Sequence, residues 1–313
     1  MHVIHIGQGA RSGLWRRAVD KHPKFRSVAI VAPIGGASAS QLPSYGTIAN
    51  ALGEVTASLA VVSGSDATRY AIDALALGLS VIMDEPGRIG SSDLERLREL
   101  SQGGNVGISL VRRFPYSRCK QTLKRFVSSG RLGALGHISC IDHREFLGHS
   151  DAAGTDPDST VQLSLFACDS FETLRRILGV APVNVTARLS PTDGTKTEVF
   201  LEMEKGIHIH YFGMVGAVAN LRSLRFEGSE GSLKTDGACV WWRKRGWRFF
   251  VPVRFGVSPS SNEFGDGQTR LDIAAKGIAR SDTEYSLEMM APLAAAYESA
   301  RRGQAVAVPG IAH

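Results

Sequence analysis

The sequence has few cysteines, and their spacing does not build a metal or disulfide framework. The four cysteines stand at positions 119, 140, 168 and 239, and no pair has the C-x-x-C spacing of zinc clusters or thioredoxin-like motifs. Four thiols spread over 313 residues also do not make the disulfide scaffold of a small secreted domain. We therefore expect neither a bound metal nor a disulfide core.

Long apolar runs are also missing. No uninterrupted apolar stretch reaches the roughly 18–20 residues that a membrane span needs. The opening MHVIHIGQG has no basic segment followed by a long apolar run, so it does not read as a signal peptide. We expect a cytoplasmic protein with no membrane partner.

The charge is positive but not concentrated. The formal net charge is +6, and no block of five or more like charges occurs. No recognisable nucleic-acid module accompanies this charge, so a nucleic-acid partner is not predicted. With 313 residues and 43% hydrophobic content, the chain is long enough for about two globular domains.

The opening of the chain has the pattern of a strand, a glycine-rich turn, a helix and a second strand. Residues 2–6 and 25–31 predict the strands, and residues 14–22 predict the helix between them. This is the βαβ unit of a doubly wound sheet. Further strands are predicted at 59–63, 80–83 and 106–110, alternating with helices, which favours a parallel sheet with helices on both faces.

The turn fits a dinucleotide-binding fingerprint with serine in its third position. In Gly7-x-Gly9-x-x-Ser12, the first glycine permits a tight turn and the second lets the backbone approach a pyrophosphate. The N-terminus of the following helix offers N–H groups to the anion. The alternative is a glycine turn that serves backbone geometry alone.

The acidic residue that would bind the ribose of NAD is missing. The second strand ends Val-Ala-Pro-Ile-Gly at 31–35, without a carboxylate. NADP is one explanation, since Arg11, or Ser38 and Ser40, could meet a 2′-phosphate, and it is slightly favoured over NAD. Weak or lost cofactor binding is the other explanation.

The pattern changes after about residue 118. Consecutive strand-like segments follow one another, interrupted by a predicted helix at 161–178 and closed by one at 282–301. We predict an α/β protein with an N-terminal Rossmann domain, a doubly wound parallel sheet over 1–118. A C-terminal α/β domain with a mostly antiparallel sheet should occupy 119–313. The strand-like segments lie at 137–143, 183–189, 197–203, 207–212, 223–226, 231–235, 239–243 and 248–253.

Several motifs, taken in order, resemble the Gfo/Idh/MocA oxidoreductases, the family of glucose-fructose oxidoreductase and inositol dehydrogenase. The resemblance begins at LAVVS (59–63) and ATRYAIDALALGLSVIMDEP (67–86), and it spans nearly the whole chain. It continues through RRFP (112–115), GRLG (130–133), LRFEGSEGSL (224–233) and AYESARRGQAV (296–306).

The resemblance implies a nicotinamide cofactor in the cleft between the two domains. It implies as substrate a sugar, an inositol or another small hydroxylated or carbonyl compound. It also implies a large open sheet in the second domain, which often serves as a subunit interface, so a homodimer or homotetramer is expected. The cofactor-binding residues that it implies are Gly7, Gln8, Gly9, Ala10, Arg11, Ser12, Ser63, Gly64, Glu85 and Pro86.

The residues that would handle protons depart from the family pattern. Glu85 stands where the family has the lysine of E-K-P, and Asp169 stands where its D-x-x-x-H motif has histidine, with Leu165 at the aspartate position. Arg69 replaces the histidine of the A-T-H stretch. If Glu85 and Asp169 face each other, their like charges would raise one pKa and keep a proton available near neutral pH. The alternative is that both carboxylates are solvated cleft residues.

Two residues that follow the strand at 106–110 are further candidates. Arg113 could bind a carboxylate or phosphate of the substrate, and Tyr116 could be an alternative proton donor. The alternative for Arg112 and Arg113 is ion pairing at the helix surface or between domains. His143, His208 and His210 lie on predicted strands, and the last two share one sheet face by the period of two. A polar sheet face explains them better than a metal. The stretch 241–245, Trp-Trp-Arg-Lys-Arg, is interpreted as an exposed hairpin or interface.

The sequence therefore predicts an NAD(P)-dependent oxidoreductase that moves a hydride between nicotinamide and a small polar substrate, a sugar, polyol or imine. Its catalytic residues would be Asp169, Glu85 and Tyr116, with Arg113 and Asp169 binding substrate. The alternative is a non-catalytic descendant that keeps the fold as a nucleotide or ligand sensor.

Overall fold

The computed structural model of the chain describes residues 1–7, 12–32, 41–102, 106–111, 118–145, 168–190, 196–253 and 265–309. Contacts divide the chain into two compact units. The first contains the described residues up to 111 together with 265–290, and the second contains those from 118 to 253 together with 291–309. The division at residue 118 into a cofactor domain and a substrate domain stays a prediction. The structure adds that residues 265–290 pack with the first unit.

The centre of the first unit is a parallel sheet of short, buried, apolar strands. Such continuous apolar runs are expected where helices cover both faces of a sheet. The strands are β1 (His2–Ile6), β2 (Arg26–Val31), β3 (Ser44–Tyr45), β4 (Leu59–Val62), β5 (Ser80–Met83) and β6 (Ile108–Leu110). They lie in the order β3-β2-β1-β4-β5-β6, so the direction of winding reverses between β1 and β4. This confirms the predicted doubly wound sheet.

The second unit contains a larger sheet. Its strands are β7 (Leu135–Glu145), β8 (Pro182–Leu189), β9 (Lys196–Met203), β10 (Ile207–Ala217), β11 (Leu221–Gly228), β12 (Gly231–Thr235), β13 (Val240–Lys244), β14 (Val251–Pro252) and β15 (Val306–Ala307). Among the described residues their order is β14-β13-β12-β11-β7-β10-β9-β8-β15. The pair β7 and β10 is parallel, and the other pairings in this sheet are antiparallel. The predicted mostly antiparallel sheet is confirmed.

Helices connect and cover the two sheets. They are α1 (Ser12–Lys21), α2 (Ile48–Glu54), α3 (Ala67–Ala76), α4 (Ser91–Gln102), α5 (Arg118–Ser128), α6 (Cys168–Leu178), α7 (Gly265–Ala274) and α8 (Arg280–Arg302). One turn of 3₁₀ helix (Glu204–Gly206) joins β9 to β10. The Thr47 hydroxyl accepts the amide of Asn50 at 3.1 Å and caps α2, a typical N-cap contact.

Two predicted boundaries were wrong. The serine, glycine and proline residues of 252–267 predict an exposed loop, but α7 already begins at Gly265. Its Leu271 joins Trp15 and Val19 in the core of the first unit. Of the predicted strand at 248–253, only Val251–Pro252 (β14) forms a strand. Helix α7 was missed because its apolar partners lie at the other end of the sequence.

Side chains of α8 cover the free edge of β6. The amide of Ile108 donates to the Thr283 hydroxyl at 3.1 Å, and the amide of Leu110 donates to the Ser286 hydroxyl at 3.0 Å. An uncovered edge would leave these N–H groups open to other strands. Polar side chains of α8 therefore take the place of a further strand beside β6.

Helices lie on one face of the larger sheet, which we call the covered face. Phe126 of α5 packs on Trp242, Phe171 of α6 packs on Tyr211, and the Ser299 hydroxyl of α8 accepts the amide of Ala187. The opposite face, called the open face, carries alternate residues of the same strands. Polar and aromatic side chains share it, whereas the covered face is mostly apolar.

Candidate functional site

The first glycine of the fingerprint lies where three strand ends meet. Gly7 follows β1 with φ of +90°, and its amide donates to the carbonyl of Val31 at the end of β2. A Cβ at this position would lie 1.9 Å from the carbonyl oxygen of Ser63, which follows β4. Only glycine fits this left-handed conformation and this space.

Ser63 and Gly64 continue the same edge of the sheet. The buried Ser63 donates its amide to the carbonyl of Ile6 at 3.0 Å, which ties the end of β4 to the end of β1. Gly64 has φ of +100°, and its carbonyl accepts the amide of Ala67 at 3.2 Å as the chain enters α3. The structure therefore brings together Gly7, Ser63 and Gly64, three of the predicted cofactor residues.

The loop after β5 is fastened to the turn before α3. The Thr68 hydroxyl donates to the Pro86 carbonyl, and the amide of Arg88 donates to the Ser65 carbonyl at 3.2 Å. Gly87 has φ of +61°, and a Cβ there would lie 2.2 Å from the Ser65 carbonyl oxygen. These contacts hold Pro86, which is buried, and Glu85, which is half-buried, beside the residues that follow β4.

This edge coincides with the point where the winding of the sheet reverses. In open parallel sheets, ligands bind outside the carboxyl ends of the strands at that point. Gly7 and Ser63 stand at the carboxyl ends of β1 and β4, the two strands between which the order reverses. The geometry therefore has the features of a nucleotide-binding edge.

Other predicted site residues fall elsewhere. Gln8, Gly9, Ala10 and Arg11, the alternative phosphate contacts Ser38 and Ser40, and the candidates Arg113 and Tyr116 lie outside the described residues. Ser12 begins α1 and is partly exposed. Asp169 lies in the first turn of α6, but its side chain is not among the described ones. The approach of Glu85 to Asp169 therefore stays a prediction.

Arg69, at the position of the family's first histidine, faces solvent. It lies on α3, and its guanidinium is 3.5 Å from the carboxylate of Asp66 one turn earlier. Its guanidinium also packs over the ring of Tyr70, 5.0 Å from the centroid. These are surface contacts of a helix and supply no acid or base to the strand ends.

His5 is a buried residue of β1, two positions before Gly7. Ser27 donates its hydroxyl to Asp20 at 2.6 Å, so Nε2 of His5 is the donor in its 2.9 Å bond to the Ser27 oxygen. Burial lowers the pKa of His5 from 6.5 to about 4, with the Asp20 charge opposing and Arg16 adding to the shift. A neutral imidazole at this position supports the first strand and helix.

His210 of the larger sheet has an ordinary partner. His208 and His210 share the open face as predicted, and Nε2 of His210 lies 2.9 Å from a carboxylate oxygen of Glu198. The His210 ring stacks on Phe200 with centroids 4.4 Å apart. Sequence spacing does not mark Glu198 as a partner of His210, because Glu198 comes from the neighbouring strand. Within the described residues no group of three metal-ligating side chains occurs.

One polar group on the covered face was missed by sequence reasoning. Asp142 of β7 is buried, and its Oδ2 lies 3.5 Å from a guanidinium nitrogen of Arg222 on β11. The sequence did contain a signal, because Ile138, Cys140 and Asp142 alternate on one strand face and an acid there interrupts an apolar row.

The comparisons with solved structures show what the chain is similar to. An aldose-aldose oxidoreductase from Caulobacter crescentus, complexed with glycerol, superposes with a TM-score of 0.71 at 16% identity, covering 98% of this chain and 99% of that one. An oxidoreductase from Agrobacterium radiobacter, in complex with NAD⁺, L-tartaric acid and magnesium, gives 0.72 at 16%, covering 98% of both chains. An inositol dehydrogenase homolog from Azotobacter vinelandii, complexed with NADH and myo-inositol, gives 0.70 at 15%, covering 98% and 97%.

These structures define the class of fold. The chain has the two-part α/β fold of Gfo/Idh/MocA-type oxidoreductases along nearly its whole length, so the predicted resemblance is confirmed at the level of fold. Comparisons of the sequence with known protein families and with curated proteins find no match. No helix in the described part of the chain is long and apolar enough to cross a membrane.

Proposed function

We propose that the protein is a nicotinamide-dependent oxidoreductase acting on a small polar substrate, a sugar, polyol or imine. The observation that carries this proposal is the packing of Gly7 against Ser63 at the reversal point of the parallel sheet. Structurally similar proteins hold NAD⁺ or NADH with small hydroxylated molecules, which supports the same chemistry here.

The residues of the first unit fit such a cofactor. Gly7 and Gly64 both have positive φ and no side chain. A pyrophosphate could therefore approach the backbone closely at these two positions. Ser12 begins α1, and the N-terminus of a helix is a favourable position for an anion. A bound nicotinamide would supply or accept the hydride, and these residues would hold and orient it. Gln8, Gly9, Ala10 and Arg11 complete the proposed binding turn.

NADP is the proposed cofactor, although the glycine-rich turn itself suits NAD equally well. The end of β2 has no carboxylate for the ribose hydroxyls, which removes the feature that favours NAD. Arg11 would pair with a 2′-phosphate. An Arg11→Gln variant should then lose NADPH affinity while its NADH affinity is unchanged.

Glu85, Asp169 and Tyr116 are the proposed proton-handling groups, with Arg113 and Asp169 as substrate contacts. Two hydrogen bonds hold the loop after β5, one to the Pro86 carbonyl and one from the Arg88 amide. They support a role for Glu85, because they keep the adjacent backbone at the proposed nucleotide-binding edge. Glu85→Gln and Asp169→Asn should each reduce turnover about 100-fold or more if they act as acid and base. Full turnover by Asp169→Asn would exclude the Glu85–Asp169 pair.

A nucleotide-dependent sensor is the second candidate function. It is favoured by Glu85 at the position of the family lysine and by the exposed, surface-paired Arg69. A turnover assay separates the two functions. Sugars, polyols and imines are offered with each cofactor while nicotinamide absorbance is followed. Turnover of any compound establishes the enzyme, whereas tight cofactor binding without turnover across the panel favours the sensor.

A homodimer through the open face is also proposed. This face carries acidic Glu198 and Glu202 on β9 and basic Lys234 and Arg243 on β12 and β13, with Phe200 43% exposed between polar neighbours. A two-fold axis near the middle strands would place the acidic side of one copy opposite the basic side of the other. A tetramer would need a second interface.

A further inference from the structure

Two histidines lie side by side on the open face of the larger sheet. His137 of β7 and His208 of β10 are direct partners in the parallel register of these two strands. Both side chains are exposed, and neither has a hydrogen bond, an ion pair or a ring contact within the described part of the chain. A neutral imidazole keeps one nitrogen with a free lone pair, so each ring can accept a ligand from solution.

The spacing between neighbouring strands suits a shared metal ion. Paired residues of adjacent strands lie about 4.8 Å apart, and their side chains point to the same face of the sheet. Two imidazole nitrogens that bind one zinc ion at about 2.0–2.1 Å are at most about 4.2 Å apart. Rotation of the two exposed side chains closes this small difference.

The pair of histidines that sequence periodicity places together is less suitable. His208 and His210 lie two positions apart on one strand, which corresponds to about 6.6 Å. His210 also has contacts of its own, since its Nε2 lies 2.9 Å from a carboxylate oxygen of Glu198 and its ring stacks on Phe200. The structure therefore favours His137, and not His210, as the partner of His208.

An acidic residue stands next to each histidine at the same level of the sheet. Glu202 pairs with His208 across β9 and β10, and Glu227 pairs with His137 across β11 and β7. Glu227 is engaged by the guanidinium of Arg225, so Glu202 supplies the net negative charge beside the imidazoles. A negative charge at this distance favours a bound cation.

We propose that His137 and His208 together bind one divalent transition-metal ion of the zinc type. Imidazole nitrogen is a preferred ligand of Zn²⁺, Ni²⁺ and Cu²⁺, whereas Mg²⁺ and Ca²⁺ take oxygen ligands. The described residues provide no group of three metal-ligating side chains, so water completes the coordination and the ion exchanges with solution. The site belongs to the second unit, whereas the proposed nucleotide-binding edge belongs to the first.

Isothermal titration calorimetry with zinc chloride tests the site on the untagged chain. The wild type should bind one zinc ion through this pair. His137→Gln and His208→Gln should each weaken that binding about tenfold or more, because each variant removes one of the two ligands. Magnesium chloride should give no binding. Circular dichroism checks that the variants are folded, as expected for changes of exposed side chains.

His210→Gln is the matched control, because His210 lies on the same strand and the same face as His208 but is engaged by Glu198 and Phe200. This variant should bind zinc as the wild type does. Absence of zinc binding by the wild type, unchanged binding in either His137→Gln or His208→Gln, or an equal loss in His210→Gln would each overturn the proposal.

Discussion

The carbonyl oxygen of Ser63 fills the space beside Gly7 in which any side chain would have to begin. A Cβ at position 7 would fall 1.9 Å from that oxygen, far inside van der Waals contact, and the φ of +90° disfavours other residues as well. The contact joins the carboxyl ends of β1 and β4. The proposed nucleotide-binding edge and the stability of the first unit therefore depend on the same missing side chain.

Gly7→Ala should destabilise the protein by about 2 kcal/mol or more, because the strands must separate to admit the methyl group. Gly53→Ala is the control, since a Cβ in that exposed turn of α2 meets nothing within 4 Å. Urea unfolding followed by circular dichroism measures both. Equal midpoints for Gly7→Ala and the wild type would show that the two strand ends are not packed as described.

His5 should make stability fall in mild acid. Burial lowers its pKa from 6.5 to about 4. Between pH 4 and 6.5, His5 therefore binds a proton in the unfolded chain but not in the folded one. The His5 contribution is constant above about pH 6.5 and declines toward pH 4, with a total loss of about 3 kcal/mol. Denaturant titrations across this range should show a shallower decline for His5→Gln. Exposed His208 provides the control, and His208→Gln should follow the wild-type curve.

The buried pair of Arg270 and Asp282 should be costly to break from one side. Arg270→Leu removes the guanidinium that lies 3.0 Å from the buried Asp282 carboxylate and should cost about 3–5 kcal/mol. Replacing both residues by leucine should cost less than the single change. Arg280→Gln breaks an exposed pair with Glu284 and should cost less than about 1 kcal/mol. Thermal unfolding measures all three, and a mild effect of Arg270→Leu would contradict the burial of the pair.

Phe200→Lys should prevent the proposed dimer. The change puts a positive charge on the acidic side of the open face, between Glu198 and Glu202, opposite the basic side of the other copy. Sedimentation velocity should show a dimer for the wild type and a monomer for the variant. Leu77→Lys alters a similarly exposed residue of the first unit and should leave the dimer intact. A monomeric wild type, or a dimeric Phe200→Lys, would remove the open face as the interface.

Local sequence patterns predicted the fold well where the interactions are local. The glycine turn and the alternation of short apolar strands with helices defined the first sheet, since each depends on neighbouring residues. The return of α7 and α8 to the first unit could not be predicted. It depends on contacts such as that of Ser109 with Asp282, which are separated by 173 positions and follow no periodic pattern.

The same distinction between local and distant interactions applies to the candidate site. Gly7, Ser63 and Gly64 were predicted because a fingerprint and strand ends mark them. Asp142 was not, because its significance comes from Arg222 on another strand and from burial that a sequence does not state. The acidic partner of His210 was missed for the same reason, since Glu198 is close only through sheet register.

Titration of the purified protein with NADH and NADPH, followed by nicotinamide fluorescence, tests the central claim most directly. The account predicts saturable binding of at least one of them, with NADPH the tighter ligand, and competition by the matching oxidised cofactor. Gly53→Ala should bind as the wild type does. Absence of binding by either reduced cofactor to folded wild-type protein would contradict the account of Gly7 and Ser63 as a nucleotide-binding edge.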